Sequence, residues 1–266
     1  MANGLVRGWC QRCVQLEEGR GTPESGYELK PADGYVVDGG GRVRNDEIVR
    51  VGTWNLEGRW DARHLEFVLS LDCDVLLLTE VCSRVALPGY QLHATAGWMA
   101  RGRHWAAVGS RTGLRPLPDP HGASAMVEID GLRVCTSILP WRSCGGGTPW
   151  SGTSTGEKTV SAVAAIEASE PDVWGGDWNH GLSGTEYTGS GLGADRIRTA
   201  TERLGLVVPT VGLPHRRSAL SSIDHVAIPS SWDVALADRV SGVVDGVALS
   251  DHDAYIVMAA PTETRF

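Results

Sequence analysis

An acid and an amide stand two residues apart in the stretch GGDWNH, directly after the apolar residues of EPDVW. Asp177 and Asn179 could simply form a turn, because Asp and Asn side chains hydrogen-bond to nearby backbone groups. A short polar pair at the end of a buried strand is also where α/β proteins place their functional sites. These six residues alone do not decide between a turn and a catalytic pair.

The same pattern occurs elsewhere along the chain. Asn55 and Glu57 follow the apolar stretch IVRVGTW, and Glu80 ends the run DVLLLTE. Polar residues also stand beside apolar runs nearer the C-terminus: Asp224 in SSIDHVAI, and Ser250, Asp251 and His252 in LSDHDAYIV. Each set alone is explained as a turn, a solvated strand end or a surface pair. Because the strand ends of a sandwich converge in space, the sets together predict one polar site.

In order and spacing, these motifs resemble those of the endonuclease/exonuclease/phosphatase superfamily, which has the deoxyribonuclease I-like fold. That family carries W-N-x-x-G, an apolar run ending in Q/E-E, G-D-F/W-N, I-D-H/Y and S-D-H. Counterparts of all five appear here in that order across residues 53–252, the second as an apolar run ending in Thr79-Glu80. N-x-x-G and S-D-H are weak signals alone, whereas the ordered set is specific. The resemblance does not cover residues 1–47. It implies a metal-dependent enzyme that hydrolyses phosphoesters.

The resemblance also implies a metal site. Glu80 matches the principal metal ligand of the family, and Asp251 and Glu57 are expected near the same ion. Asn55 matches an amide that supports both the metal and the phosphate. Mg²⁺ is the expected cofactor, with Mn²⁺ as an alternative, because hard cations prefer carboxylate oxygens and retain several waters.

The remaining motif residues match catalytic groups of the family. Asp177 is implied to activate the attacking water, and Asn179 to hydrogen-bond a phosphate oxygen. His252 is implied to contact the scissile phosphate, with Asp224 as its orienting carboxylate. A carboxylate among other carboxylates has a raised pKa, which suits a general base. An Asp–His pair favours the imidazolium ion, which complements charge on the phosphate.

The sequence departs from the family at two positions. Many nuclease members carry a His or Tyr in the middle of the chain, where this sequence has Ile138, Leu139 and Pro140. The second general acid is therefore absent unless Arg142 or another loop residue serves. The inositol-phosphatase branch continues G-D-x-N with Tyr-Arg, but this chain continues with His180-Gly181, which disfavours a phosphoinositide substrate.

Candidate substrate contacts are the aromatic and basic residues near the expected mouth of the site: Trp141, Arg142, His180 and Arg196. Aromatic rings can stack on bases, and arginines can bind phosphate. His215, Arg216 and Arg217 are further basic candidates for substrate phosphate, although a solvated charge cluster is the favoured interpretation. The stretch GTSTGEKT is not a P-loop, because Glu157 separates the last glycine from the lysine. We expect a glycine-rich helix start there instead.

Composition narrows the function classes. The net charge of −8 disfavours a protein that coats nucleic acid, but it permits an enzyme that contacts a few phosphates through a local patch and a metal. With 42% hydrophobic residues the chain can form a packed core. No run approaches the ~20 apolar residues of a membrane span. No secretory h-region is recognisable near the N-terminus, so a cytoplasmic protein is expected.

Strand and helix patterns alternate from residue 48 onwards. Strands are expected at residues 48–54, 74–81, 90–95, 104–110, 123–129, 132–139, in DVWGGDWN, and at 206–208, 223–228, 232–237 and 254–259. Helices are expected after residue 59, over residues 157–168 and after residue 193. This order predicts a four-layer α/β sandwich, with two mixed or antiparallel sheets packed face to face and helices on the outer faces. The predicted catalytic domain spans residues 48–266.

Residues 1–47 show no clear periodicity of apolar residues. They are predicted to be an N-terminal extension, with a β-hairpin near residues 34–45. Cys10 and Cys13 have a zinc-like spacing, but a structural zinc site needs four ligands and no second pair follows at a suitable distance. The cysteines are therefore interpreted as reduced thiols.

The sequence thus predicts a phosphodiesterase, with nucleic acid as the first choice of substrate. A phosphatase or phosphodiesterase of a small molecule or lipid headgroup is the alternative within enzymes. A non-catalytic binding module on the same fold is the alternative outside them, although a fold alone would not require this set of polar residues.

Overall fold

The computed structural model describes residues 48–184, 187–217 and 219–262. The predicted extension 1–47, its hairpin and the Cys10/Cys13 pair lie outside these residues, so they stay predictions. Within the described part, free thiols are found at Cys73, Cys82, Cys135 and Cys144, and the first three are buried.

The first sheet has seven strands in the order β12-β15-β1-β2-β5-β3, with β4 paired to β5. Its strands are β1 (Val49–Asn55), β2 (Val75–Cys82), β3 (Gln91–Ala94), β4 (Trp98–Ala100), β5 (Arg103–Ser110), β12 (Trp232–Val240) and β15 (Ala254–Pro261). β1 pairs parallel with β2 and antiparallel with β15. The end of β1 therefore lies beside the end of β2 and the start of β15.

The second sheet has six strands in the order β10-β11-β9-β8-β7-β6. Its strands are β6 (Arg115–Pro116), β7 (Ser124–Ile129), β8 (Leu132–Ser137), β9 (Val173–Asp177), β10 (Leu206–Val207) and β11 (Asp224–Pro229). β9 pairs parallel with β8 and antiparallel with β11. A separate hairpin joins β13 (Val243–Val244) to β14 (Val247–Ala248).

The described helices are α1 (Ala62–Ser70), α2 (Thr155–Ala168) and α3 (Gly191–Arg203). Asp61 caps α1, and the Ser154 side chain with Glu157 forms a capping box at the start of α2. The glycine-rich stretch before α2 is thus a capped helix start, as predicted. None of these helices is long and apolar enough to cross a membrane.

Apolar contacts define four layers. Alternating residues of both sheets, including Val51, Leu77 and Val226, form the core between them. Phe67 and Val68 of α1 pack on the outer face of the first sheet. A third cluster on the second sheet includes residues of α2 and α3: Ala162, Val163, Ile166, Ala194, Ile197 and Ala200. The predicted four-layer sandwich is confirmed.

Short strands and one strand end differ from the prediction. β4, β6, β13 and β14 are too short to produce a recognisable period in the sequence. β8 ends at Ser137 instead of residue 139. There the Ile138 amide donates to the Ala123 carbonyl, and the Leu139 amide donates to the Asp177 carbonyl at 3.0 Å. The chain therefore turns at Ile138 and runs beside the end of β9.

Candidate active site

Strand register brings the predicted polar residues to one edge of the sandwich. Asn55 lies opposite Thr79 in the parallel β1–β2 pair, so Glu80 follows at the same edge. Asp177 and Asp224 lie opposite each other at the ends of β9 and β11. The Asn55 amide joins the two sheets: Nδ2 is 3.0 Å from Asp177 Oδ2 and 3.2 Å from Glu80 Oε1.

Three of the predicted site residues have left-handed backbone conformations. The φ angles are 52° for Glu57, 49° for Glu80 and 52° for Asn179. This region is unfavourable for residues other than glycine, and such strain concentrates at functional sites. It places these side chains outside the regular alternation of their strands.

Asp177 is 3% exposed and lies at the centre of the cluster. Its Oδ1 accepts a hydrogen bond from the Asn179 backbone amide at 3.0 Å, and its Oδ2 accepts one from Asn55. Burial, together with the negative charge of Asp224, raises the pKa of Asp177 to about 7. A carboxylate with this pKa can accept a proton near neutral pH.

The imidazole of His252 lies between Asp224 and Asp177. Its Nδ1 is 2.7 Å from Asp224 Oδ2, and its Nε2 is 4.0 Å from Asp177 Oδ2. Burial alone would lower the pKa of His252, but the charges of Asp224 and Asp177 raise it to about 10. The ring is therefore a cation at neutral pH, with Nδ1 fixed by Asp224.

The predicted metal ligands do not form one tight group. Arg103 Nη1 lies 2.5 Å from Glu80 Oε2, and the other carboxylate oxygen accepts from Asn55. Glu57 Oε1 pairs with Arg59 at 3.0 Å, and Oε2 accepts from the Asp251 backbone amide. Ion pairs with arginine thus hold the two glutamates in this structure.

A different trio of ligand atoms, from Asp177, Asp224 and His252, lies mutually within 4.8 Å. These atoms could hold a metal ion only if His252 were neutral with a free ring nitrogen. The short Asp224 contact and the raised pKa of His252 favour a hydrogen-bonded triad instead.

The chemical type of the predicted ligands, rather than their present geometry, suits a hard divalent cation. The Glu80 side chain is 20% exposed, and that of Asp251 is 66% exposed. Together with Glu57 they provide carboxylate oxygens at an open edge of the site. Mg²⁺ and Mn²⁺ favour such a donor set with several retained waters.

Asn179 is tied to the loop after β8. Its Nδ2 donates to the Leu139 carbonyl at 3.1 Å, and its Oδ1 accepts from the Thr188 hydroxyl at 3.3 Å. The Arg142 backbone amide donates to the Thr188 carbonyl at 2.6 Å. Arg142 is exposed, so this loop places an arginine near Asn179.

Trp141 is half-buried and packs edge-on against Trp150, with ring centroids 5.6 Å apart. Trp150 is 6% exposed and therefore belongs to the core. Trp54 and Trp178 are fully buried, as predicted for indoles inside the motifs.

Two predicted substrate contacts are placed elsewhere. His180 is fully buried, with Nδ1 2.6 Å from the Trp178 carbonyl and Nε2 3.4 Å from Thr159 Oγ1, so it is not at the mouth. Arg196 forms an ion pair with Glu167 in the last turn of α2. That turn is about 18 Å along the helix from its first residue, at 1.5 Å per residue. Arg196 therefore joins the outer helices.

Sequence reasoning missed Arg103, whereas it named His215 and Arg216 among the basic candidates. The Arg216 guanidinium donates to the Ser250 carbonyl, and the His215 ring centroid is 6.4 Å from that of His252. The interpretation of these two residues as solvated charge is wrong, because both pack against the S-D-H motif. No motif marks them, since only the β10–β11 connection brings them to the site.

The position expected for a central His or Tyr is apolar. Ile138 is 1% exposed and Leu139 is fully buried, so neither carries an ionisable group into the cleft.

No protein-family model matches the sequence, and no curated protein is significantly similar to it. By contrast, 111 chains of solved structures match the fold. An AP endonuclease from Leishmania major is 13% identical, with a TM-score of 0.60 over 82% of this chain and 89% of that one.

Two further solved structures share this fold. An endonuclease/exonuclease/phosphatase from Beutenbergia cavernae is 16% identical, with a TM-score of 0.55 over 81% of this chain and 72% of that one. A 3′ phosphatase from Neisseria, bound to a product DNA hairpin, is 15% identical, with a TM-score of 0.54 over 79% of this chain and 98% of that one. The chain has the deoxyribonuclease I-like fold that is typical of the endonuclease/exonuclease/phosphatase superfamily.

Proposed function

We propose that this chain is a divalent-metal-dependent phosphodiesterase that hydrolyses nucleic acid. The observation that carries the proposal is the pairing of a buried carboxylate with a partly buried imidazolium. Asp177 Oδ2 lies 4.0 Å from His252 Nε2, and Asn55 links the same oxygen to Glu80. A proton acceptor, a cation and a candidate metal ligand therefore share one edge of the sandwich.

Each residue has a defined task in this mechanism. Asp177 accepts a proton from the water that attacks phosphorus. His252 directs its Nε2–H at a phosphoryl oxygen, while Asp224 holds Nδ1 and fixes the ring. The Asn179 amide has a second N–H beside the one bonded to Leu139, and this N–H can bind another phosphoryl oxygen.

Glu80 would hold the metal ion, with Glu57 and Asp251 at the rim. The ion would supply positive charge to the phosphoryl oxygens as negative charge develops on them. Arg103 already neutralises one oxygen of Glu80, so the ion would compete with this arginine for the carboxylate.

Two observations favour nucleic acid as the substrate. Arg142, Arg216 and Arg217 lie at or near the mouth, although the chain as a whole is acidic. Among structures of the same fold, one is an AP endonuclease and another is bound to a DNA hairpin. A small phosphoester remains the competing substrate, because the site lacks the central His or Tyr of many nucleases.

A substrate panel tests this proposal. Single-stranded and duplex DNA, RNA, bis(p-nitrophenyl) phosphate and a sugar phosphate are incubated with Mg²⁺ or Mn²⁺, with and without chelator. We expect chelator-sensitive cleavage of DNA or RNA that is lost in Asp177→Ala. Cleavage of only the small esters would assign the competing substrate class. Absence of all hydrolysis would contradict the enzymatic proposal.

A further inference from the structure

A pocket of about 410 Å³ opens beside the candidate active site. We call it the flanking pocket. One wall is the β1–α1 connection and the first turns of α1, and the other includes β14 and Leu249. Its lining includes Arg59, Trp60, Arg63, His64, Arg84 and Ala248.

The flanking pocket adjoins a groove that contains two of the three predicted metal ligands, Glu57 and Asp251. The lining of that groove includes Glu57, Ser250 and Asp251, and it shares Arg59 and Ala248 with the flanking pocket. A polymer whose scissile phosphate lay near Asp251 would therefore extend into the flanking pocket with its next unit.

Three arginines give the flanking pocket a cationic rim. Arg59, Arg63 and Arg84 are exposed, whereas Asp61 is the one acid in the lining. Arg59 and Arg63 form ion pairs with side chains that are themselves partly exposed, so both can exchange partners. The rim is positive although the whole chain has a net charge of −8.

One indole ring, that of Trp60, lies within a lining that is otherwise largely polar. Trp60 is half-buried, and its ring centroid lies 6.3 Å from that of His64. Val247 and Ala248 form the opposite wall. A ligand with a flat, partly apolar ring and flanking negative charge matches this combination, and nucleotides have this chemistry.

Hydrogen bonds fix the two walls relative to each other. His64 is 4% exposed, and its Nε2 lies 2.9 Å from the Leu249 carbonyl. Its Nδ1 lies 2.7 Å from Asp61 Oδ1. One buried imidazole thus connects α1 to the segment after β14, so the pocket is preformed.

We propose that the flanking pocket binds the nucleotide next to the scissile phosphodiester, with the base against Trp60 and a phosphate on Arg63 and Arg84. This inference rests on the proposed function, because it assumes a polymeric substrate. It adds a second binding position and predicts that the enzyme prefers oligonucleotides to isolated phosphodiesters.

Binding of a fluorescein-labelled single-stranded oligonucleotide, measured by anisotropy in chelator, tests the pocket without requiring activity. We expect Trp60→Ala to weaken binding about tenfold, with partial rescue in Trp60→Phe. Arg63→Gln and Arg84→Gln should each lower the salt slope of log K by about 0.7. Arg115→Gln removes another exposed arginine with a single acidic partner, on β6, and should change neither quantity.

The kinetic test compares substrates. In Trp60→Phe and Arg63→Gln, the ratio of kcat/KM for the oligonucleotide to that for bis(p-nitrophenyl) phosphate should fall severalfold. If neither this ratio nor oligonucleotide binding changes in the variants, the assignment of the flanking pocket as a nucleotide-binding site is wrong. Wild type could show no hydrolysis of any substrate while the variants still lose oligonucleotide binding as expected. In that case the proposed function fails, but the assignment of the flanking pocket as a nucleotide-binding site stands.

Discussion

The Nε2 atom of His252 lies 4.0 Å from the Oδ2 atom of Asp177, and the two side chains are 13% and 4% exposed. Asp224 holds the opposite nitrogen of the ring at 2.7 Å. The three groups contain two carboxyls and one imidazole, so their proton occupancy determines the charge of the site. The shifts in pKa therefore have measurable consequences for stability as well as for catalysis.

We expect His252 to stabilise the metal-free protein most below pH 6.5. Its pKa rises from 6.5 to about 10 on folding, so the folded state binds its proton more tightly than the unfolded state. This stabilisation is fully present below 6.5 and is lost as pH rises through about 10. Urea unfolding of wild type and His252→Gln in chelator should give a difference in free energy that shrinks over this window. A pH-independent difference would contradict the assignment.

Asp177 should act on stability with the same sign but in a lower window. Its pKa rises from 3.8 to about 7 on folding, so its ionisation is unfavourable in the folded protein. Wild type should lose stability relative to Asp177→Asn as pH rises from about 4 to about 7, again in chelator. Parallel stability curves for the two proteins would exclude a raised pKa of this carboxyl.

Arg103 should weaken metal binding at Glu80. Its guanidinium lies 2.5 Å from Glu80 Oε2, where it repels an incoming cation. Repulsion between a unit and a divalent charge in a water-like cleft corresponds to roughly tenfold in affinity. Isothermal titration with Mn²⁺ should therefore show tighter binding to Arg103→Gln than to wild type, and little change for Arg103→Lys. Weaker binding to Arg103→Gln would mean that Arg103 mainly positions Glu80.

Gly58→Ala should reproduce the effect of removing Arg103. A Cβ at Gly58 would collide with the Arg103 guanidinium and displace it from Glu80, and Gly58 also has a φ of 68°. Gly89→Ala is the matched control, because φ is 81° and the added Cβ has no neighbour within 4 Å. Both variants should lose about 1–2 kcal/mol of stability from the left-handed backbone. Only Gly58→Ala should tighten Mn²⁺ binding, and equal affinities for both would reject the steric link.

The sequence contained enough information to predict the four layers and the clustering of the motif residues. Continuous apolar runs such as DVLLLTEV mark buried strands, and the motifs sit at their ends. Asn55, Asp177 and Asp224 converge because strand register places them there, which the ordered motifs imply.

What the sequence did not predict depends on contacts between distant segments. Arg103 starts a strand and has no motif, yet pairing of β2 with β5 places it on Glu80. His180 follows the G-D-W-N motif but turns inward, where the Trp178 carbonyl and Thr159 contact its ring. From the sequence alone, Arg196 is a candidate phosphate-binding residue, but helix packing pairs its guanidinium with Glu167. Neither residue type nor spacing indicates these partners.

The most direct test of the account is the rate of bis(p-nitrophenyl) phosphate hydrolysis with Mg²⁺ or Mn²⁺ by wild type and Asp177→Asn. Asp195→Asn serves as control, because this carboxylate is exposed on α3 and pairs with Arg198. The account predicts chelator-sensitive hydrolysis by wild type and the control, and a loss of at least about a hundredfold in Asp177→Asn. Hydrolysis by folded Asp177→Asn within twofold of wild type would contradict the assignment of the catalytic site.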